Sequence, residues 1–310
     1  MLSDVAAREA FHVLLLEFLL KRIPTGLVLK GGVNLRLFFG SPRYSQDIDF
    51  DAEPRLRDAV RSAIRSGLKD PHLRQHFVDL GGADIRATET PQKNTETTLR
   101  FKFGVVSGGG VDLPTKVEVS FRPRPALDVA DEDAAPAGLV DRFRLPLPSL
   151  DAASRRRGRD RRTDASARGA DTPGPSHGAL IVRHYRRLAA LRQKVGALAL
   201  RNEVQARDVF DLGVLDAAAM SAAEAARLRE ALPDSVLQKA AARAFEIPYE
   251  AYEDKVLAFL DPTDRARYAP PNQWDEQCLF AHELAQQLLA LPGPAWVPWY
   301  PDEAKPASTL

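Results

Sequence analysis

The chain has 310 residues, a formal net charge of +1 and a single cysteine, Cys278. One cysteine excludes an intrachain disulfide framework and a zinc site built on cysteines, and it fits the reducing cytosol, so we expect a cytoplasmic protein. A net charge this close to zero excludes nucleic-acid binding through bulk charge, so any such contact needs a local basic surface.

The first predicted element is an amphipathic helix. Ser3 is placed to cap it, an apolar stretch follows over residues 12–20, and we expect Arg8 and Lys21 on its solvent-facing side. The apolar stretch is too short to span a bilayer, and Glu17 interrupts it. We therefore expect no membrane association.

A strand, a tight turn and a helix are predicted around Lys30-Gly31-Gly32. An apolar run precedes this tripeptide, and helical spacing of apolar residues follows it as far as Phe38. Paired glycines at a helix N-terminus let backbone N–H groups approach a phosphate, and Lys30 adds a positive charge. The alternative is an ordinary strand-to-helix turn with a surface lysine. The sequence matches neither a Walker A loop nor a dinucleotide-binding fingerprint.

Asp47 and Asp49 alternate with apolar residues in a second predicted strand. Residues two apart on a strand point to the same face, so their carboxylates can converge on a pair of divalent ions, and Asp51 shares that face. Three acidic residues in a row repel each other unless a cation is present. The alternative is a solvated edge strand whose acidic residues discourage aggregation. Just before this strand, Arg43 and Ser45 are placed to contact phosphate oxygens, or else serve as a surface arginine and a strand cap.

A β-hairpin is predicted over residues 98–121, with a glycine-rich turn. Alternation along its second strand places Glu118 on the polar face. If this strand lies beside the one that carries Asp47 and Asp49, Glu118 joins them as a metal ligand or as a general base. The alternative is a surface ion pair with Lys116.

The chain divides into three regions by its composition. A mixed α/β domain is predicted at 1–150 and a helical domain, rich in alanine and leucine, at 180–310. Between them, residues 151–179 lose the apolar pattern and accumulate arginines, which is typical of a basic linker or an exposed insertion. Its arginines would guide a nucleic-acid backbone, or they are simply solvated.

Three segments of this sequence resemble motifs of the AbiEii/AbiGii toxin family, which belongs to the DNA polymerase β-like nucleotidyltransferase superfamily. Residues 29–50 are similar to the first motif, residues 116–120 to the second, and residues 194–212 to the third. The glycine pair lies further from the first aspartate than is usual in the superfamily. Gly40 and Ser41 are therefore a nearer alternative for the phosphate turn.

The third segment places Lys194, Arg201 and Asp208 seven residues apart. On one continuous helix they would lie nearly in line, whereas a break in the helix would remove that alignment. The resemblance implies that Lys194 balances charge on a triphosphate and that Asp208 positions Lys194 or the acceptor. Arg207 and Asp211 have the spacing of an ordinary ion pair within a helix.

The resemblance implies an α+β fold, with a polymerase β-like nucleotidyltransferase core that contains a mixed sheet, followed by a helical C-terminal domain. It implies a toxin of a toxin–antitoxin system that uses Mg²⁺, with two ions expected, and takes its nucleotide from a nucleoside triphosphate (NTP). MenT-like members transfer the nucleotide to the 3′ end of tRNA, which blocks translation. An antitoxin encoded by a neighbouring gene controls them.

The site residues follow from the same resemblance. The metal ligands would be Asp47, Asp49 and Glu118. The nucleotide-binding residues would be Lys30, Gly31, Gly32, Arg43 and Ser45. Two other functions remain open, namely a non-catalytic nucleotide-binding module, and nucleotidyl transfer to a protein or a small molecule. The first is less favoured because all three carboxylates are present.

Overall fold

The computed structural model describes residues 2–87, 94–122, 129–130, 182–215 and 220–293. The predicted linker at 151–179 and its arginines lie outside these residues, as do residues 294–310.

A mixed β-sheet forms the centre of the first half of the chain. Its strands are β1 (Leu27–Lys30), β2 (Ile48–Ala52), β3 (Gly82–Ala87), β4 (Thr98–Ser107), β5 (Asp112–Ser120), β6 (Val129–Ala130) and β7 (His184–Tyr185). They lie in the order β3-β4-β5-β2-β1-β7-β6. The β2–β5 and β1–β7 pairs are parallel and the remaining pairs are antiparallel. The predicted α+β class with a mixed sheet is confirmed.

The helices flank the sheet in the first half and form the second half. Those of the first half are α1 (Asp4–Arg22), α2 (Gly31–Phe38), α3 (Arg57–Lys69) and α4 (Pro71–Asp79). Those of the second half are α5 (Arg187–Leu200), α6 (Ala206–Leu215), α7 (Ala222–Glu230), α8 (Asp234–Arg243), α9 (Tyr249–Lys255), α10 (Pro262–Tyr268) and α11 (Pro271–Leu289). A 3-10 turn, Leu257–Phe259, joins α9 to α10.

Alternation along β2 separates its side chains onto two faces of the sheet. Ile48 and Phe50 are 0% and 1% exposed and pack into the core with α1, α3 and α4. Asp49 and Asp51 are only partly buried because they lie on the other face. The predicted hairpin is also present as the antiparallel β4–β5 pair. These features place the acidic residues where a ligand can reach them.

Among the described residues, the two largest hydrophobic clusters occupy the two halves of the chain. The first joins the sheet with α1, α3 and α4, and the second joins the helices from α5 onward. Leu35 of α2 belongs to the second cluster, so α2 connects the sheet to the helical half. Strand β7 follows the linker in sequence but lies in the sheet between β1 and β6. The domain boundaries given above remain a prediction.

Helix α1 is present, but it is not amphipathic as predicted, because residues 7–16 and 18–20 are buried around the whole helix. Ser3 caps the helix as expected, accepting a hydrogen bond from the Ala6 N–H at 3.4 Å, and Lys21 is exposed. Arg8, which was expected on the solvent-facing side, is only 7% exposed. The reason is that the helical half covers it, with the Phe259 ring centroid 5.5 Å from the Arg8 Cζ. None of the described helices combines the length and apolar content that a bilayer crossing requires.

Candidate active site

Four neighbouring strands place charged residues in one row across the sheet. Lys30 of β1 lies opposite Asp49 of β2, and Asp49 in turn lies beside Glu118 of β5. Glu118 lies opposite Arg100 of β4. The row therefore holds two acidic groups between two basic ones. Adjacent strands are about 4.8 Å apart, so neighbouring groups in the row lie close together. The structure thus brings together Asp49 and Glu118, which are 69 residues apart in the sequence, as the parallel register of β2 and β5 requires.

Asp47 and Glu118 are bridged by a lysine. The Lys116 Nζ is 3.3 Å from Asp47 Oδ2 and 3.7 Å from Glu118 Oε2. The Arg100 Nε donates a hydrogen bond to Glu118 Oε2 at 2.7 Å. Burial raises the pKa of Glu118, but the hydrogen bond from Arg100 and the charge of Lys116 outweigh it, so the pKa lies below its ordinary value. The repulsion expected among the carboxylates is therefore offset by basic side chains of the chain itself.

Asp49 is the carboxylate without a direct partner. Its side chain makes no hydrogen bond or ion pair with any residue that the structure describes. Burial raises its pKa, and the charges of Asp47 and Glu118 raise it further, while Lys30 and Lys116 oppose them. A carboxylate in this position is poorly neutralised by the protein and gains from a bound cation.

The glycine pair makes room for the site. Gly31 has a φ of +71°, and a Cβ there would lie 2.5 Å from Asp49 Oδ2. A Cβ on Gly32 would lie 2.5 Å from the Ser45 Oγ. Lys30 is the N-cap of α2 and makes no capping side-chain hydrogen bond, so the first N–H groups of the helix lack a side-chain acceptor there. We call Asp47, Asp49 and Glu118 the carboxylate row. The start of α2 therefore lies directly against this row, at Asp49.

The other candidate for a phosphate turn, Gly40-Ser41, is used differently. Gly40 has a φ of +70° and follows the end of α2. Ser41 is completely buried, and its Oγ accepts a hydrogen bond from the Arg43 N–H at 3.3 Å. These residues form a helix-ending turn, which favours Gly31-Gly32 as the turn at the site.

Lys30 and Ser45 each hold another part of the site in place. The Lys30 Nζ donates to Asp51 Oδ1 at 2.6 Å, and the Tyr185 hydroxyl donates to Asp51 Oδ2 at 2.5 Å. The Ser45 Oγ donates to the Asp47 carbonyl oxygen at 2.7 Å. Both side chains remain next to the carboxylate row, where each also supports a neighbouring acidic residue.

A buried histidine fixes the segment before β2. The Thr115 hydroxyl donates to the Gln46 carbonyl oxygen at 2.7 Å, so it must accept from the His12 Nε2, which is 2.8 Å away. Burial and the charge of Arg8 lower the pKa of His12 to about 3, so the ring is neutral. This contact links α1 to the residue that precedes Asp47.

Arg43 pairs with the helical half, and its Nη2 also lies beside the glycine pair, 3.1 Å from where a Cβ on Gly32 would be. It is 3% exposed, and its Nη2 donates to Asp211 Oδ2 at 3.0 Å while its Nε donates to Asp211 Oδ1 at 3.3 Å. The Lys194 Nζ lies 2.6 Å from the same carboxylate. Burial raises the pKa of Asp211, but the charges of Arg43 and Lys194 outweigh it and lower the pKa. Sequence reasoning missed this role of Asp211, although it lies within the third motif.

The third motif forms a cluster despite a break in the helix. Helix α5 ends at Leu200 and α6 begins at Ala206, so the continuous helix is not present. Asp208 nevertheless lies 3.0 Å from the Lys194 Nζ and 3.0 Å from the Arg201 Nε, because α6 packs against α5. Among the described side chains, Asp211 does not pair with Arg207 as the helical spacing allowed.

The carboxylate row fits a divalent cation by its chemistry. Carboxylate oxygens are the ligands that Mg²⁺ prefers, and Asp49 has oxygens without a partner. Within the part of the chain that the structure describes, no three acidic, histidine or cysteine side chains are already grouped to hold a metal. Asp47 and Glu118 instead form ion pairs with Lys116 and Arg100. A bound cation would compete with these two basic groups.

A cavity of about 600 Å³ opens beside Asp47. It lies between the β4–β5 hairpin and the helical half, which contributes the start of α6, the end of α9 and the 3-10 turn. Its basic lining residues are Arg43, Lys102, Lys116, Arg207 and Lys255. Because Asp47 and Asp112 are its acidic residues, the cavity is suited to a negatively charged ligand.

The family assignment agrees with this geometry. The family model described as nucleotidyl transferase AbiEii toxin, of a type IV toxin–antitoxin system, matches residues 14–277. The chain belongs to the AbiEii toxin family. This AbiEii protein is therefore a nucleotidyltransferase of a toxin–antitoxin system, as the three motifs predicted. Membership implies an NTP substrate and an antitoxin partner.

This chain is similar to solved structures at low sequence identity. MenT4, a nucleotidyltransferase toxin from Mycobacterium tuberculosis, is 16% identical with a TM-score of 0.50, over 91% of this chain and 84% of that chain. JHP933 from Helicobacter pylori is 17% identical with a TM-score of 0.47, over 93% of each chain. A comparison with curated proteins gives no match.

Proposed function

We propose that this AbiEii protein transfers a nucleotide from an NTP to the 3′ end of tRNA in an Mg²⁺-dependent reaction, and so inhibits translation. The observation that carries the proposal is the shared face of Asp47, Asp49 and Glu118, beside the glycine pair. An unpartnered carboxylate in such a row is expected where a cation binds.

Asp47, Asp49 and Glu118 would hold Mg²⁺, and we expect two ions. Bound there, Mg²⁺ would neutralise charge on the triphosphate and favour the ionised form of the acceptor hydroxyl. Glu118 suits a ligand better than a general base, because its lowered pKa makes its carboxylate a weaker proton acceptor.

The triphosphate would lie at the start of α2. The backbone N–H groups of Gly31 and Gly32 and the ammonium of Lys30 supply positive charge there. Arg43 and Ser45 would also bind the triphosphate, because Arg43 Nη2 and Ser45 Oγ both lie beside Gly32. Their bonds to Asp211 and to the Asp47 carbonyl oxygen hold them there.

Lys194 and Asp208 would act from the helical half. Lys194 lies against Asp208 and against Asp211, which also binds Arg43. This cluster fixes the helical half against the segment that carries Asp47. Lys194 would therefore act on the triphosphate indirectly, by fixing the position of the segment that carries Asp47.

In the transfer step, the acceptor hydroxyl oxygen attacks the α-phosphorus. The bond from that phosphorus to the oxygen bridging it to the β-phosphate breaks, pyrophosphate leaves with the electron pair, and the hydroxyl proton passes to a carboxylate of the cluster. The chain positions the reactants and stabilises the charge that develops on the phosphoryl group. These two effects account for most of the rate enhancement in phosphoryl transfer.

The cavity supports a nucleic-acid acceptor. Its basic residues adjoin Asp47, so a phosphodiester backbone lying there would end next to the carboxylate row. We propose tRNA on this charge pattern together with the family assignment. An antitoxin encoded by a neighbouring gene would control the activity.

Labelling by radioactive NTP tests the proposal. The protein is incubated with each NTP, Mg²⁺ and total RNA, and we expect incorporation into tRNA that requires both the metal and an intact Asp49. Asp49→Ala should abolish incorporation, while Asp58→Ala on the exposed face of α3 should not change it. Label in protein or in a small molecule would show that the acceptor is not tRNA. No label in any fraction would favour a non-catalytic module.

A further inference from the structure

Asp51 is the third acidic residue on the polar face of β2, and the proposed function leaves it without a role. The Lys30 Nζ donates to its Oδ1 at 2.6 Å, and the Tyr185 hydroxyl donates to its Oδ2 at 2.5 Å. Both carboxylate oxygens of Asp51 are therefore bound by groups of the chain. Asp49 lies two residues earlier on the same face, and no described residue forms a hydrogen bond or ion pair with its side chain.

The register of β1 and β2 makes this pattern of bonds unexpected. Lys30 lies directly opposite Asp49, whereas Val28 lies opposite Asp51, so Asp51 is only the diagonal neighbour of Lys30. Opposite residues of an antiparallel pair lie about 4.5–5.5 Å apart at Cβ and diagonal ones about 7–8 Å apart, so a lysine can reach either carboxylate. Burial raises the pKa of Asp49, and Lys30 is the strongest of the charges that oppose this. The ammonium is therefore near Asp49, yet it bonds to Asp51.

Tyr185 explains why Lys30 bonds to the diagonal neighbour. It belongs to β7, on the other side of β1, and its hydroxyl fixes the orientation of the Asp51 carboxylate. Tyr185 is itself 6% exposed and packs against Val28 of β1. The Asn34 Nδ2 donates to its carbonyl oxygen at 3.1 Å. Asp51 thus offers its Oδ1 to Lys30 at a fixed place, where it makes a charge-assisted hydrogen bond.

We propose that Asp51 and Tyr185 are positioning residues that hold the Lys30 ammonium beside Asp49 and prevent it from pairing with that carboxylate, so that a divalent cation can bind there. An ammonium bonded to Asp49 would occupy oxygens that the cation needs. Held by Asp51, the same ammonium remains next to the site as a positive charge for the phosphates. The proposal rests on the proposed function and deepens it, because it names the residues that keep this metal ligand open.

The test measures binding of Mg²⁺ alone, without NTP, as the Mg²⁺ concentration that gives half of the maximal rise in melting temperature. Asp51→Asn should raise this concentration about tenfold and Tyr185→Phe about threefold, because Lys30 can then pair with Asp49 and compete with the metal. Lys30→Met should lower it. In the Lys30→Met background, Asp51→Asn and Tyr185→Phe should each change it by less than about twofold, since the competing ammonium is gone.

Two matched controls leave the contacts of Lys30 intact. Asp84→Asn breaks an ion pair with Arg74 on strand β3 of the same sheet, and Tyr249→Phe removes a hydroxyl donor in the helical half. Both variants should bind Mg²⁺ as wild type does. The two controls separate the position of Lys30 from a general effect of losing an ion pair or a tyrosine hydroxyl.

The outcomes distinguish this proposal from the proposed function. Equal effects of Asp51→Asn with and without Lys30 would show that the charge of Asp51 acts directly on the metal, and would overturn the proposal. Unchanged Mg²⁺ binding in Asp51→Asn, or a wild type that Mg²⁺ does not stabilise, would overturn it too, even if nucleotide transfer is intact. The expected shifts in a protein that transfers no nucleotide would leave Asp51 in its role and overturn the proposed function. If Asp51→Asn does not fold, Tyr185→Phe decides, because it keeps every charge of the site, and wild-type Mg²⁺ binding in that variant would exclude the proposal.

Discussion

Arg43 and Asp211 form a buried, bidentate ion pair that joins the segment before β2 to helix α6. They are 168 residues apart in the sequence, and their side chains are 4% and 0% exposed. The same carboxylate also binds Lys194. Asp211 therefore helps to fix the position of the carboxylate row relative to the helical half.

Asp211→Ala should destabilise the protein strongly. It leaves the buried charges of Arg43 and Lys194 without their partner, and breaking a buried pair in this way typically costs about 3–5 kcal/mol. Urea denaturation measures the loss. Asp58→Ala removes an exposed partner of Arg61 and should change stability by no more than about 0.5 kcal/mol. Similar losses in the two variants would contradict a special role for the buried pair.

Gly31→Ala should reduce activity far more than it reduces stability. The new Cβ would collide with Asp49 Oδ2 and displace the carboxylate, and a small displacement at a reacting centre can cost roughly a hundredfold in rate. The left-handed backbone adds roughly 1–2 kcal/mol of strain. The measurement is the initial rate of NTP incorporation together with the free energy of unfolding.

Gly110→Ala is the matched control for Gly31→Ala. Gly110 also has a left-handed backbone, with a φ of +81°, but no atom lies within 4 Å of the Cβ it would gain. The Gly110→Ala variant should therefore have the same backbone strain as Gly31→Ala but keep its activity. Equal losses of activity in both variants would show that strain, and not the position of Asp49, explains the effect.

Asp49→Asn should stabilise the folded protein near neutral pH when Mg²⁺ is absent. Burial and the neighbouring carboxylates raise the folded-state pKa of Asp49, so ionisation of this group opposes folding once the pH exceeds its unfolded-state pKa of about 3.9. The advantage of the variant should shrink as the pH falls from about 7 toward 4, where both forms become neutral. Urea denaturation over this pH range measures the difference.

Asp49→Asn should also lose the effect of Mg²⁺ on stability. Mg²⁺ should raise the melting temperature of the wild type, because a ligand that binds only the folded state stabilises it, and should not raise that of the variant. Asp58→Asn serves as the surface control for both measurements. A variant that is less stable than wild type at neutral pH would contradict the assigned electrostatic strain.

Lys116→Met should make the site bind Mg²⁺ more readily. Lys116 contacts Asp47 and Glu118, so a metal must displace it from both carboxylates. We expect the Mg²⁺ concentration for half-maximal thermal stabilisation to fall about fivefold, which corresponds to about 1 kcal/mol. Lys102→Met, on the facing strand, should have a smaller effect. A requirement for more Mg²⁺ in Lys116→Met would show that this lysine supports metal binding.

Local pattern was sufficient to predict the elements that carry the site. The period of two in β2 and β5 separated acidic from apolar residues, and the glycine pair between an apolar run and a helical pattern located the turn before α2. These features depend on neighbours two to four residues away, which the sequence displays directly.

The other contacts of the site depend on packing between elements that are far apart in the sequence. The neighbours of Arg43, the meeting of Asp208 with Lys194 across a helix break, and the burial of Arg8 all depend on how the helical half lies against the sheet. No periodicity encodes such contacts, because they are set by the combined shape of many buried side chains. For that reason Arg8 looked like a solvent-facing arginine in the sequence and is a covered, unpaired cation in the folded protein.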